Sequence, residues 1–488
     1  MYKINKSDFM FFDEELNNYI YSRGREINKH LENIKGFNHR EEYFKVKKYL
    51  DDYLNGNLEK RFIVLPGLRG VGKTTILFQL YDYLINIKKI NPKNLIYLSM
   101  DQVISYFDTD LLKVVDSFLE EIHTVDKINL QEKIFIFVDE SHFDKKWAIA
   151  GKIIFDTTKN IFLIFTGSSA LNLEITGDVA RRIDKKPIFP LNFNEYLLLK
   201  HGISANCNFS KKLKDLIYFG KTKQMKEAIK CEDKVYDSLN SLNNNPQIEF
   251  DSFLKRQGFP FTLNFDVEES YKKIYSIVDN LIEKDIPSVK AFNSSTKDTI
   301  RRIILYIALQ KPGGTSNAKI ANYLSISPSL VREILDTLEK TQLLFHVKPY
   351  GGSSKIIKKQ WQYFFLSPSL KTAINFEIGR YNLNNRKCLG LLAENLVASS
   401  LYKMSKTDFN LLGLFYPAKK GSSDFLIKTK FDEIVPIEVG IGKKTKSQVK
   451  KDMNNYNSKY GILVSNRYPR IKYKKDIIYL PLMNFGFI

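Results

Sequence analysis

The 488-residue chain is too long for a single core and, at about 150 residues per domain, holds roughly three domains. Hydrophobic residues at 43% and charged residues at 26% exclude collagen-like, mucin-like and bulk-disordered classes. A formal net charge of +21 biases the surface toward polyanions, although lysine-rich chains are often merely well solvated.

The longest apolar runs, such as Ile134 to Val138 and Ile161 to Phe165, fall far short of the ~18 to 20 residues that span a bilayer. The N-terminus lacks the zones of a signal peptide, so the expectation is a cytoplasmic protein without membrane contact. Cys207, Cys231 and Cys388 are widely separated with no Cys-x-x-Cys spacing, which reads as isolated thiols, with no disulfide framework or zinc site.

In chain order, residues 1–58 read as a helical segment, with Tyr43, Val46, Leu50 and Leu54 on one face. Residues 59–195 alternate short Val/Ile/Phe strands with helices, the pattern of a parallel sheet with crossover helices in an α/β nucleotide-binding core. Residues 196–298 are Lys/Asn-rich and read as a helical lid. Residues 299–370 give helices at 299–310, 316–324 and 328–341 and then an alternating segment, the order of a winged helix. Residues 371–488 give a helix around Glu394, strands near 412–416, 423–429 and 434–439, a helix at 445–457 and a strand at Gly461 to Ser465, a small α/β domain.

Gly67 to Thr74 fits G-x-x-x-x-G-K-[ST] between an apolar strand and a helix. Gly67, Gly70 and Gly72 let the backbone N–H groups point at phosphate oxygens, Lys73 reaches the β and γ phosphates, and the Thr74 hydroxyl, with Thr75 beside it, takes Mg2+. The strand Ile134 to Val138 ends in Asp139-Glu140, a Walker B pattern in which Asp139 holds Mg2+ through water and Glu140 activates the attacking water. The next strand runs into Thr166-Gly167-Ser168-Ser169, making Ser168 a candidate γ-phosphate sensor. Arg181 or Arg182 is a candidate arginine finger, in cis or in trans, against the plainer reading of solvated surface.

With these pieces in order, the chain resembles prokaryotic AAA-related ATPases of the archaeal ATPase type, close to the STAND clade. The resemblance rests on Gly67 to Thr74, Val138-Asp139-Glu140, Thr166 to Leu171, Pro190-Leu191-Asn192-Phe193-Asn194-Glu195-Tyr196 and Gly258-Phe259-Pro260. It implies ATP and Mg2+ as ligands, Pro260 near the adenine, and a winged helix followed by a restriction-endonuclease-like domain. On the winged helix, Ser329, Arg332 and Glu333 would meet a major groove and Lys355, Lys358 and Lys359 lie on the wing, while a packing role is the equal alternative.

In the C-terminal domain, Glu394, Ser423-Asp424-Phe425 and Pro436-Ile437-Glu438-Val439 have a spacing similar to PD-(D/E)xK nucleases. That resemblance implies Asp424 and Glu438 as Mg2+ ligands, but position 440, where the family lysine belongs, is glycine. Lys443, Lys444, Lys419 or Lys420 would have to substitute, so the domain reads as degenerate. Lys443, Lys444, Lys446, Lys450, Lys451, Lys459, Arg467, Arg470, Lys472, Lys474 and Lys475, against Asp452 and Asp476, make a basic surface suited to phosphate backbones. The expectation is an ATPase or ATP switch coupled to nucleic acid, DNA favoured. The alternatives are an ATP-controlled metal-dependent nuclease, with defence as a setting, and a nucleotide-controlled regulator or scaffold acting on a protein partner or a second copy.

Overall fold

In the computed structural model, which describes residues 6–168, 177–204, 207–289, 292–310, 315–352, 360–380, 385–409, 413–442 and 446–488, the N-terminal apolar runs form one sheet. Its strands are β1 (Phe62–Pro66), β2 (Leu95–Ser99), β3 (Ile134–Asp139), β4 (Ile161–Gly167) and the short β5 (Asp184–Lys185), in the order β2-β3-β4-β1-β5, all parallel. Strands covered on both faces read as continuous hydrophobic runs, and β1, β3 and β4 are buried at every position. On one face Phe62, Val64, Ile136, Val138, Leu163 and Phe165 pack with Val115, Leu119, Trp147 and Ile154 from the helices Leu111–His123 and Trp147–Thr157. On the other, Tyr53 meets Phe135 and Phe162 with ring centroids 5.8 and 5.1 Å apart, and Tyr81 meets Phe137 at 5.6 Å. Of the predicted N-terminal face, Tyr43, Val46 and Leu50 are buried, and Tyr53 rather than Leu54 completes it.

The register places function. Pro66 pairs with Gly167 and Val138 with Phe165, so β4 lies between β1 and β3 and all three strands end on one edge. This sheet belongs to a unit spanning Met1–Ile188.

The second unit, Phe189–Ile488, begins with the helices Phe193–His201, Phe209–Phe219, Thr222–Leu239, Pro246–Arg256 and Val267–Asn280. Ser294–Leu309, Asn317–Leu324 and Pro328–Lys340 follow, then the antiparallel hairpin β6 (Leu344–Pro349) and β7 (Gln362–Phe365), and the helices Pro368–Glu377 and Arg386–Thr407. Ser327 caps Pro328–Lys340 by accepting the Leu330 N–H at 3.2 Å, with Pro328 in the first turn, where its missing N–H costs nothing. The remaining strands are β8 (Gly413–Tyr416), β9 (Phe425–Lys428), β10 (Ile434–Gly440), β11 (Gly461–Ser465), β12 (Lys472–Lys474) and β13 (Ile477–Pro481). They join the hairpin in an eight-stranded mixed sheet, β12-β13-β11-β10-β9-β8-β6-β7. Its seam is a parallel pairing of β6 with β8, Lys348 opposite Phe415 and Pro349 opposite Tyr416, so the hairpin expected to form a wing continues the C-terminal sheet.

Two expectations are corrected in this unit. Cys207 and Cys231 are joined as a disulfide, with Cα atoms 5.8 Å apart, because the helices Phe209–Phe219 and Thr222–Leu239 pack together and bring distant positions into register. Asp452, counted above among surface acids, is fully buried and accepts hydrogen bonds from the Ser423 N–H and hydroxyl at 2.7 Å each. Among the described residues no helix is long and apolar enough to cross a membrane.

Candidate nucleotide site

The loop after β1 closes on the helix Lys73–Asp82, with Gly70 and Gly72 at φ 77° and 92°, where a side chain would be strained. Lys73 is buried, and its ammonium donates to the carbonyls of Gly67 and Leu68, both at 3.0 Å. A phosphate entering the loop would exchange these neutral acceptors for charged ones. Arg40, just ahead of the helix Glu41–Leu54, is also buried, donates to the Val71 carbonyl and lies 3.6 Å from Glu42. It braces the loop from outside, and no motif in the sequence marked it.

The helix Lys73–Asp82, β2 and β4 each send a hydroxyl to Asp139 at the end of β3. The Thr74 hydroxyl donates to its carboxylate at 2.7 Å, the Tyr97 hydroxyl at 3.1 Å, and the Thr166 hydroxyl closes the group. Burial, with the carboxylate beside it, pushes the Tyr97 phenol up and keeps it a donor. The Thr74 hydroxyl and Asp139 carboxylate present an all-oxygen pair at the loop, the donor chemistry that fits Mg2+. Sequence reasoning placed Thr74 and Asp139 and missed Tyr97, whose signal is only a phenol on the strand neighbouring β3. Thr166 lies two residues before Ser168, the candidate sensor.

Glu140 follows at φ 49°, in the left-handed region that few non-glycine residues adopt. Its carboxylate lies 3.3 Å from Nδ1 of His142, and the same nitrogen is 3.3 Å from the Ser168 backbone N. Burial, with Lys73 and Arg69 nearby, holds the His142 imidazole down at about 3, so the ring is neutral. Ser168 is buried beside it. Arg182 is engaged by Asp156 at 2.7 Å and Asp178 at 3.1 Å, whereas Arg181 meets Asp178 at 3.3 Å with 78% of its side chain exposed.

Pro260, expected near the adenine, opens a short 3-10 turn in the second unit. The neighbouring motifs build that unit's interior: the Leu191 N–H donates to the Gly258 carbonyl at 2.9 Å, Asn192 and Glu195 form a capping box on Phe193–His201, and Phe193 packs among Phe250, Phe253 and Phe487.

In the C-terminal sheet Phe425 pairs with Ile437, and Asp424, a bend residue just before β9, comes next in that register toward Glu438 on β10. Asp424 accepts the Val439 N–H at 2.7 Å, and Glu438 is fully buried. Glu394, on the helix Arg386–Thr407, exerts its field on Lys371, an ammonium that burial nonetheless lowers to about 8. Lys419 and Lys420 are exposed; Lys443, Lys444, Lys355, Lys358, Lys359, Ser169, Ala170 and Leu171 lie outside the described residues. Among the described residues no group of three or more His, Cys, Asp or Glu side chains gathers as a metal site.

Residues 59–197 match a family described as an AAA domain, and residues 248–380 match a domain of unknown function (DUF8612). The chain is 25% identical to the uncharacterized protein MJ1544 of Methanocaldococcus jannaschii, over 79% of this chain and 77% of that protein. Among solved structures, it is similar to the Walker-type ATPase PABY2304 of Pyrococcus abyssi, with 14% identity, 69% of this chain and 95% of that chain covered, and a TM-score of 0.41. It is 34% identical to the uncharacterized protein MJ1637 of M. jannaschii over 96% of this chain and 94% of that protein. With the phosphate-loop pattern and the acidic strand end both inside the stretch that matches an AAA domain, the chain carries a P-loop AAA domain and belongs to the family of MJ1637.

Proposed function

We propose that the chain hydrolyses ATP at the loop Gly67 to Thr74 and uses the nucleotide state to control a nucleic-acid-binding second unit. The observation that carries the first half is the Thr74–Asp139 hydrogen bond beside the loop that Lys73 closes, with Glu140 the next residue after Asp139. Lys73 would bind the β and γ phosphates, and Thr74 and Asp139 would hold Mg2+, which when bound neutralises phosphate charge. Glu140 would take the proton of the attacking water, and Ser168 would contact the γ phosphate. Arg181, the more exposed of the two arginines, is the better finger for a second copy.

The second half is supported by the +21 charge and by the basic stretch at Lys446 to Lys475. We read Ser294–Leu309 through β7 as a winged helix and the strands from β8 onward as a degenerate nuclease-like domain. A second reading, a metal-dependent nuclease under ATP control, draws on Asp424 coming next in register toward Glu438.

The test is ATP binding and phosphate release by the parent, Lys73→Ala and Glu140→Gln. Lys73→Ala should lose ATP binding. Glu140→Gln should bind ATP like the parent and turn over roughly 100-fold more slowly, since it acts on water and not on phosphate. Parent-like binding by Lys73→Ala, or parent-like turnover by Glu140→Gln, would remove the corresponding assignment.

A further inference from the structure

His142 is a buried polar side chain at the nucleotide site to which the mechanism above gives no role. Only 2% of its side chain is exposed, and it stands between two working parts, with Nδ1 at 3.3 Å from both the Glu140 carboxylate and the Ser168 backbone N. An imidazole nitrogen carries either a proton or a lone pair. Protonated, Nδ1 donates to Glu140; unprotonated, it accepts the Ser168 N–H. The two contacts therefore exclude each other, and the neutral ring changes between them by giving up its proton at Nδ1 and taking one up at Nε2, or the reverse, through water.

The surroundings tie this choice to β4. The Ser141 hydroxyl donates to the Thr166 carbonyl at 2.8 Å, and the Thr166 hydroxyl reaches Asp139, so the turn after β3 is stitched to the end of β4 on the near side of His142. Ser168, the far stitch, follows β4 directly, and β4 is hydrogen-bonded to both β1 and β3. A shift of the Ser168 backbone toward or away from a bound phosphate would thus decide which partner Nδ1 has.

We propose that His142 is a positioning residue for ATP hydrolysis, its Nδ1 exchanging between the Glu140 carboxylate and the Ser168 N–H so that the base is released as the end of β4 engages nucleotide. The inference rests on the reading of Glu140 as the base. Its rival is a packing role, since the ring also lies against Phe143 with centroids 4.7 Å apart.

The two separate in steady-state turnover of the full chain. His142→Phe keeps the ring and removes the nitrogens; it should lower kcat about 10-fold and leave KM for ATP within about 2-fold. His142→Asn places an amide near the Nδ1 position and should recover most of the loss, whereas His142→Gln, whose amide reaches toward Nε2, should not. The double variant Glu140→Gln with His142→Phe should be no slower than Glu140→Gln alone, because the positioned group is already disabled. Parent-like kcat in His142→Phe, equal activity of the Asn and Gln variants, or full additivity in the double variant overturns the inference. If His142→Phe does not fold, the Asn and Gln pair decides by itself. Glu140→Gln measured alone keeps the failures distinct: parent-like turnover there removes the base assignment and this inference with it, whereas a dead Glu140→Gln beside a parent-like His142→Phe removes only the inference.

Discussion

Glu249 shows how a single buried carboxylate is made tolerable. Burial alone would push its pKa up, but hydrogen bonds from the Tyr196 hydroxyl, from Asn244 at 2.8 Å and from His201 at 3.1 Å, together with Lys200 at 3.3 Å, bring it down to about 2. A carboxylate whose folded pKa is depressed stabilises the fold above its unfolded value, and that stability is lost as pH falls from the unfolded toward the folded pKa. Glu249→Gln should therefore have a lower urea midpoint than the parent at neutral pH, with the gap narrowing as pH falls from about 5 to about 3. A gap independent of pH would place the effect in packing and not in the charge.

At the scale of elements, the register of β9 and β10 carries Asp424 toward Glu438, and the pleat of β10 fixes what is missing. Residues two apart on a strand share a face, so a side chain at 440 would project beside Glu438, and Gly440 leaves that position without a cation. A hydroxide or pentavalent phosphate forming there would lack the positive charge that such chemistry uses. Plasmid, linear and single-stranded DNA should accordingly be cut slowly or not at all with Mg2+ or Mn2+, with or without ATP, and Asp424→Ala should change nothing. Robust cutting that disappears in Asp424→Ala while ATP binding survives would put the nuclease reading first.

Across the whole molecule, charge is the property with the longest reach. β12 is an edge strand whose Lys472, Tyr473 and Lys474 are all exposed, Lys475 extends it, and the burial of Asp452 removes an acid that composition had set against these cations. Lysines on an edge also discourage edge-to-edge pairing, so two roles compete. Replacing Lys472, Lys474 and Lys475 by Gln should weaken DNA binding and reduce the slope of log affinity against log salt by up to about 3 if they meet phosphates. Unchanged DNA binding accompanied by aggregation would assign them to edge protection instead.

The loop Gly67 to Thr74, the acids Asp139 and Glu140 and the alternation of strands and helices were legible in the amino-acid order because each depends on neighbours only a few positions away: glycines for a turn, an apolar run for a buried strand, a lysine at a helix start. The Tyr97 and Thr166 contacts to Asp139, the shared nitrogen of His142, the brace from Arg40 and the Cys207–Cys231 bond join positions that sequence spacing does not relate. So does the parallel seam between β6 and β8. These were decided by tertiary structure, since strand order and register determine which distant side chains meet, and a buried polar group takes the partner that packing brings within reach.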